Sequence, residues 1–133
     1  MSVPEGTIAI PVSPGELLDK ISILEIKAAR LTNASKLNSV RFELELLRNA
    51  WENHPGLAQE FASDAAALKA INESLWDIED RIRECERRGD FGDAFVELAR
   101  SIYRLNDQRA ALKLRINERI RSPLREAKSH PPY

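Results

Sequence analysis

The chain sorts into segments by the period of its apolar positions. Thr7-Ile8-Ala9-Ile10-Pro11-Val12 is a short β-branched run interrupted by a proline, which predicts an extended segment over 7–12. One strand is not stable alone, so it must lie on the helices or pair with a second chain. From residue 14 the period becomes helical. Ser13-Pro14-Gly15-Glu16 supplies a capping hydroxyl, a proline suited to the first helical position and a glutamate placed to complete a capping box. Leu17, Ile21, Leu24, Ala28 and Leu31 follow at 4-3-4-3 spacing and predict a helix over 14–31. Ile23 and Ile26 fall on its opposite side. A helix apolar on two sides is covered on two sides, so this one either sits centrally or gives one face to a subunit interface.

Leu37, Val40, Leu44, Leu47 and Trp51 predict a second helix over 34–53, closed by His54-Pro55-Gly56. A third, over 57–88 with its start at either Leu57 or Ser63, carries Leu68, Ile71, Leu75, Ile78, Ile82 and Cys85 in heptad register, the pattern of coiled-coil-like packing. Gly89-Asp90 turns the chain, with Asp90 placed to cap a fourth helix over 91–121. That helix rides on Phe95, Leu98, Ile102, Leu105, Leu112, Ile116 and Ile120. Ser122-Pro123 stops it, leaving residues 122–133 as a tail. So short a connection makes helices three and four antiparallel, with arms of about 40 Å. The prediction is an all-α single domain, 1–133. A long antiparallel helical hairpin packs with two shorter N-terminal helices and is preceded by a short extended segment.

Composition agrees. The 133 residues suit one core, and 43% apolar, 31% charged and only 6% aromatic residues suit amphipathic helices better than a β-sandwich. A net charge of -1 gives no general attraction for nucleic acid or anionic membrane. Residues 109–128 are locally basic, seven basic against two acidic. No aromatics interleave them for base stacking, and residues 72–90 offer seven acidic groups against four basic as counter-charge, so nucleic acid is not the expected partner. Cys85 is the only cysteine, Met1 to Val12 lacks the pattern of a signal peptide, and no stretch nears the roughly 20 apolar residues of a membrane span. A cytoplasmic protein without membrane segments is expected.

The absences in the chemistry are informative. His54 and His130 are far apart, Cys85 has no cysteine partner, and the five glycines lack phosphate-loop spacing, so neither metal nor cofactor is expected. Two clusters stand out. Arg109 falls where the heptad wants an apolar residue between Leu105 and Leu112, and the hairpin register sets it near Asn72 and Glu73, Arg104 near Asp77 and Arg100 near Asp80. These are either interhelical ion pairs that fix register or an anion-binding or catalytic arginine. On helix one, Asp19, Lys20, Glu25 and Lys27 interleave with apolar residues, and charges so placed either pair or shift their pKa values.

The run Pro11-Val12-Ser13-Pro14-Gly15-Glu16-Leu17-Leu18-Asp19-Lys20-Ile21, continued by Ile23-Leu24-Glu25-Ile26-Lys27, resembles the hallmark of an uncharacterised bacterial family described only as a domain of unknown function. The likeness continues through the block 72–80, the block 98–103 and the block 106–113, and so spans nearly the whole chain. It carries no activity, and it implies a link to glycosyl transfer and cell-surface polysaccharide. It also implies that Asp19, Lys20, Glu25, Lys27, Glu79, Asp80, Arg100, Tyr103, Asn106, Asp107, Arg109 and Lys113 are characteristic residues, several of which would converge on one polar cleft if helix one packs on the hairpin. The preferred reading is a non-enzymatic protein-interaction or scaffold module, a homodimer with Ile8, Ile10, Ile23 and Ile26 at its interface, serving an unknown protein partner. The alternative is a binder or enzyme for a small anionic metabolite held by Lys and Arg in a helical-bundle cleft, a device of the kind a chorismate-mutase-like bundle illustrates.

Overall fold

The computed structural model describes residues 3–54, 56–124, 127 and 130–132. Five helices follow in order: α1 Pro14–Arg30, α2 Ala34–Glu52, α3 Leu57–Glu60, α4 Ala62–Arg88 and α5 Asp93–Ile120. No strand occurs among the described residues, and no helix among them is long and apolar enough to cross a membrane. The long hairpin is α4 and α5, which pack along one another. Gly89 makes its turn possible, since it ends α4 at φ 66, a left-handed conformation that costs glycine nothing.

Two expected boundaries shift for local reasons. Asp90 does not cap the last helix, which begins at Asp93; its carboxylate instead accepts the Gly92 N–H at 3.2 Å and shapes the turn. The helix expected over 57–88 is interrupted at Phe61, whose φ -104 and ψ 16 leave the helical region. Its ring is only 1% exposed. It meets Trp51 edge-on at 6.4 Å between centroids, and the Arg119 guanidinium lies 4.4 Å from its centre. Burying one aromatic ring between α2 and α5 outweighs a helical turn. Of the tail expected over 122–133, the residues outside the described set include the basic Arg125 and Lys128.

α1 resolves the question its two apolar sides raised. It packs against α2, α4 and α5. Residues 19, 22 and 30 of α1 meet residues 72, 72 and 77 of α4, so the two helices run parallel. Residues 15, 16 and 19 meet 117, 113 and 109 of α5, so these two run antiparallel. α1 therefore lies centrally, in the valley of the hairpin, with α2 over its other side. Leu18, Ile21 and Leu24 join Val40, Leu44, Trp51, Phe61, Leu68, Leu112 and Ile116 in one core, each full burial adding about 1.5–3 kcal/mol. This placement corrects one of the four expected interface residues: Ile26 is 2% exposed and lies against the hairpin, while Ile23 is half-buried and lines a groove beside it. Ile8 and Ile10, by contrast, stand out in solvent, and their segment forms no strand.

Gly15 sets how closely α1 can approach α5. A Cβ there would stand 2.6 Å from the Lys113 carbonyl oxygen and 2.9 Å from Asn117 Oδ1. Inside a helix, glycine to alanine ordinarily stabilises by about 0.5–1 kcal/mol. Here Gly15→Ala must push two backbones apart and should destabilise by about 1–3 kcal/mol, read as a fall in the midpoint of urea unfolding with unchanged slope.

Candidate functional site

The valley between α1 and the hairpin is lined by a stripe the apolar periodicity conceals. Gly15, Asp19, Ser22 and Ile26 recur at 4-3-4 spacing, and all four are buried. Opposite them α5 offers Asn106, Arg109, Lys113 and Asn117 at 3-4-4 spacing, and α4 offers Asn72. Ser13 caps α1 by accepting the Glu16 N–H at 3.2 Å, while the Gly15 N–H donates to Asn117 Oδ1 at 2.8 Å, so a side chain of the last helix satisfies a free donor of the first. The Glu16 carboxylate does not close the expected capping box. It turns to Lys113, whose Nζ lies 2.7 Å from Oε2, because a buried ammonium needs that charge more than Ser13 needs a second bond.

Asp19 is the centre. Its carboxylate is 2% exposed and accepts from Arg109 Nε at 2.9 Å and Nη2 at 2.5 Å, a side-on fork, and from Asn72 Nδ2 at 2.9 Å. Lys113 Nζ stands 3.8 Å from Oδ2. Asn72 also donates to Ser22 Oγ at 2.8 Å, and Ser22 donates to the Asp19 carbonyl at 2.8 Å. Burial pushes the Asp19 carboxyl up, yet the hydrogen bonds from Arg109 and Asn72 and the charges of Arg109 and Lys113 together outweigh it and hold the group below its ordinary value. Two cations face two carboxylates, so the cluster is neutral within itself.

Beside it opens a groove of about 280 Å³. Ile23, Ile26, Leu75, Trp76 and Ile102 form its apolar walls; Asn72, Asn106, Arg109 and Glu79 are its polar groups. Among the residues marked by sequence, the structure thus gathers Asn106, Arg109 and Lys113, with Asn106 Oδ1 accepting from Arg109 Nη1 at 3.4 Å. Lys20 touches the ionic cluster through Glu16 at 3.7 Å, and Glu79 borders the groove while pairing with Arg83 at 2.8 Å. The others lie elsewhere. Glu25 pairs with Arg48 of α2 at 2.7 Å, and Lys27 is half-buried near the end of α1, where its backbone carbonyl accepts the Leu31 N–H. Asp80 and Tyr103 are exposed, Arg100 pairs with Glu97 of its own helix at 3.0 Å, and Asp107 borders the tail residues His130 and Pro131.

The expected ladder of ion pairs along the hairpin is replaced by pairs through its valley. Asp77 takes Arg30 of α1, and Arg109 takes Asp19, because α1 lies nearer to both than the opposite arm does. Counter-charge for the basic end of α5 comes from the start of α4 rather than from residues 72–90: buried Asp64 accepts Arg115 at 3.0 Å and Arg119 at 2.8 Å. Asp19 and Asn72 were each visible in the sequence, as a polar residue amid apolar ones and as the register neighbour of Arg109. What would have joined them is the 4-3-4 stripe through Gly15, Asp19 and Ser22. No group of three or more His, Cys, Asp or Glu side chains among the described residues is placed to hold a metal.

An all-helical bundle closed by a buried ionic centre between its first and last helices is the class that fold and site define. The chain belongs to DUF6165, a family of unknown function whose model matches residues 8–131. No curated protein and no solved structure matches it.

Removing one partner of the centre should cost far more than removing both. Arg109→Leu leaves the Asp19 charge buried and should lose about 3 kcal/mol or more; Asp19→Leu combined with Arg109→Leu should recover part of that in a double-mutant cycle measured by denaturant unfolding. Because the folded pKa of Asp19 lies below the unfolded value of about 3.9, its contribution is present above that pH and is lost as pH falls through the folded value. The drop in melting temperature below about pH 4 should therefore be shallower in Asp19→Asn than in the parent chain.

Proposed function

We propose that this protein is a non-enzymatic helical interaction module, a cytoplasmic homodimer joined through the outer face of α2 and the N-terminal segment, whose long hairpin holds a protein partner. The observation that carries the reading is a run of exposed apolar side chains with no cover among the described residues. Phe42 on α2 is 60% exposed, and Ile8 and Ile10 in the segment are 89% and 69% exposed. Thr7 shares a depression with Phe42 and Leu46, which sets the segment beside that helix face. Large apolar groups gathered in this way mark association surfaces.

A second copy is the occupant this surface suits. Between residues 36 and 48, α2 carries Lys36, Arg41 and Arg48 against Glu43 and Glu45, a mixture without the single-sign field that would repel a two-fold image. At the far tip of the hairpin Phe91 and Phe95 contact edge-on at 5.3 Å, and Phe91 and Val96 remain exposed, an apolar anchor suited to the partner. Buried Cys85, the only cysteine, suits a reducing compartment. Arg109 and Lys113 already hold Asp19 and Glu16, so an incoming anionic metabolite would have to displace the chain's own carboxylates. That weighs against the anion-binding alternative.

Sedimentation equilibrium should return twice the 15.1 kDa of one chain. Phe42→Glu with Ile10→Glu should return a monomer of unchanged helical circular dichroism. A wild-type chain that stays monomeric up to the highest soluble concentration would refute the homodimer.

A further inference from the structure

The groove beside Arg109 lies on the hairpin side of α1, away from the proposed dimer face, and its chemistry suits a different occupant. A closed apolar cavity of roughly 150 Å³ is enough for a benzene ring, so about 280 Å³ admits one ring with a substituent. The charges at its edge are spent internally: Arg109 is held by Asp19 and Glu79 by Arg83. What is left is an oriented amide. Asn72 is 5% exposed, and its Nδ2 donates to both Asp19 Oδ1 and Ser22 Oγ. Since the Ser22 hydroxyl spends its proton on the Asp19 carbonyl, Ser22 can only accept from Asn72, which fixes the amide with its nitrogen toward α1.

The opposite end of that amide, Oδ1, has no hydrogen-bond partner among the described residues, where every fully buried side-chain nitrogen or oxygen is paired. The oxygen must therefore open to solvent, and the surface that Asn72 lines is the groove. A fixed acceptor, on a residue otherwise enclosed, faces walls that include the indole of Trp76. A carboxylate ligand would set acceptor against acceptor there, and a cation would sit beside the Arg109 guanidinium. A neutral donor has neither penalty.

We propose that this groove binds a small neutral molecule with a single-ring apolar body and one hydrogen-bond donor, the ring packed on Trp76 and its neighbours and the donor on Asn72 Oδ1. Nothing in the proposed dimerisation is required for it.

The test titrates the full chain, ¹⁵N-labelled, with three single-ring probes: phenol, anisole and benzoate. Phenol should give saturable amide shifts centred on Ile23, Trp76 and Ile102. Anisole, which lacks the donor, should bind roughly fivefold or more weakly, the worth of one neutral hydrogen bond, and benzoate no better than anisole. Asn72→Leu should bring phenol down to the level of anisole. Because that variant also removes two internal bonds, Ile102→Trp provides the second arm: it fills the groove from α5, leaves Asn72 intact and should abolish binding of all three probes in a folded chain. Equal affinity for phenol and anisole, tighter binding of benzoate, shifts centred elsewhere, absence of saturation, or phenol still bound by folded Ile102→Trp would each overturn the proposal.

Discussion

A carboxylate buried at the junction of three helices is the constraint from which most of this structure follows. Asp19 cannot be charged in that setting without donors on every side, and cannot be neutral while a guanidinium lies against it. Arg109 and Lys113 from α5 and Asn72 from α4 answer it together, and each answers with a different geometry: a planar fork, a point charge and a dipole. A helix that slid one turn along the hairpin would break all of these at once. Apolar packing alone would tolerate such a slip, because leucines and isoleucines at 4-3 spacing offer near-equivalent registers. The ionic centre therefore favours one register of α1 in the valley, and Gly15, in close approach to α5, limits its depth.

That arrangement has consequences for what the protein can do. The cations beside Asp19 and Glu16 are engaged with carboxylates of the same chain. In the readings proposed above, outward contacts fall to the exposed apolar face beside α2, the aromatic tip of the hairpin and the Asn72 amide oxygen.

Much of the fold was legible in the chain. The 3-4 recurrence of Leu68, Ile71, Leu75 and Ile78, the glycine at the hairpin turn and the Ser13-Pro14 start of α1 are local signals, decided within a few residues by sterics and capping. The hairpin register that set Arg109 beside Asn72 was legible as well, because a short turn converts sequence distance directly into spatial pairing. Less legible was the interruption at Phe61, where a helical pattern yields to the burial of one ring between Trp51 and Arg119. Neither partner lies within the segment that breaks.

By itself, then, the sequence determined the all-helical character, the long hairpin and the polar residues of note, because these depend on period, caps and turns that act over one or two helical turns. Only the tertiary structure decided that α1 lies between the arms, parallel to α4, with α2 outside. That choice turned Ile26 from a candidate subunit contact into a buried wall, sent Glu16 to Lys113 rather than to its own cap, and gave Asp77 to Arg30 rather than to α5. The physical reason is that an ion pair goes to whichever opposite charge is closest in space, and which charge is closest depends on how separately legible helices dock, a matter on which their own periodicities are silent.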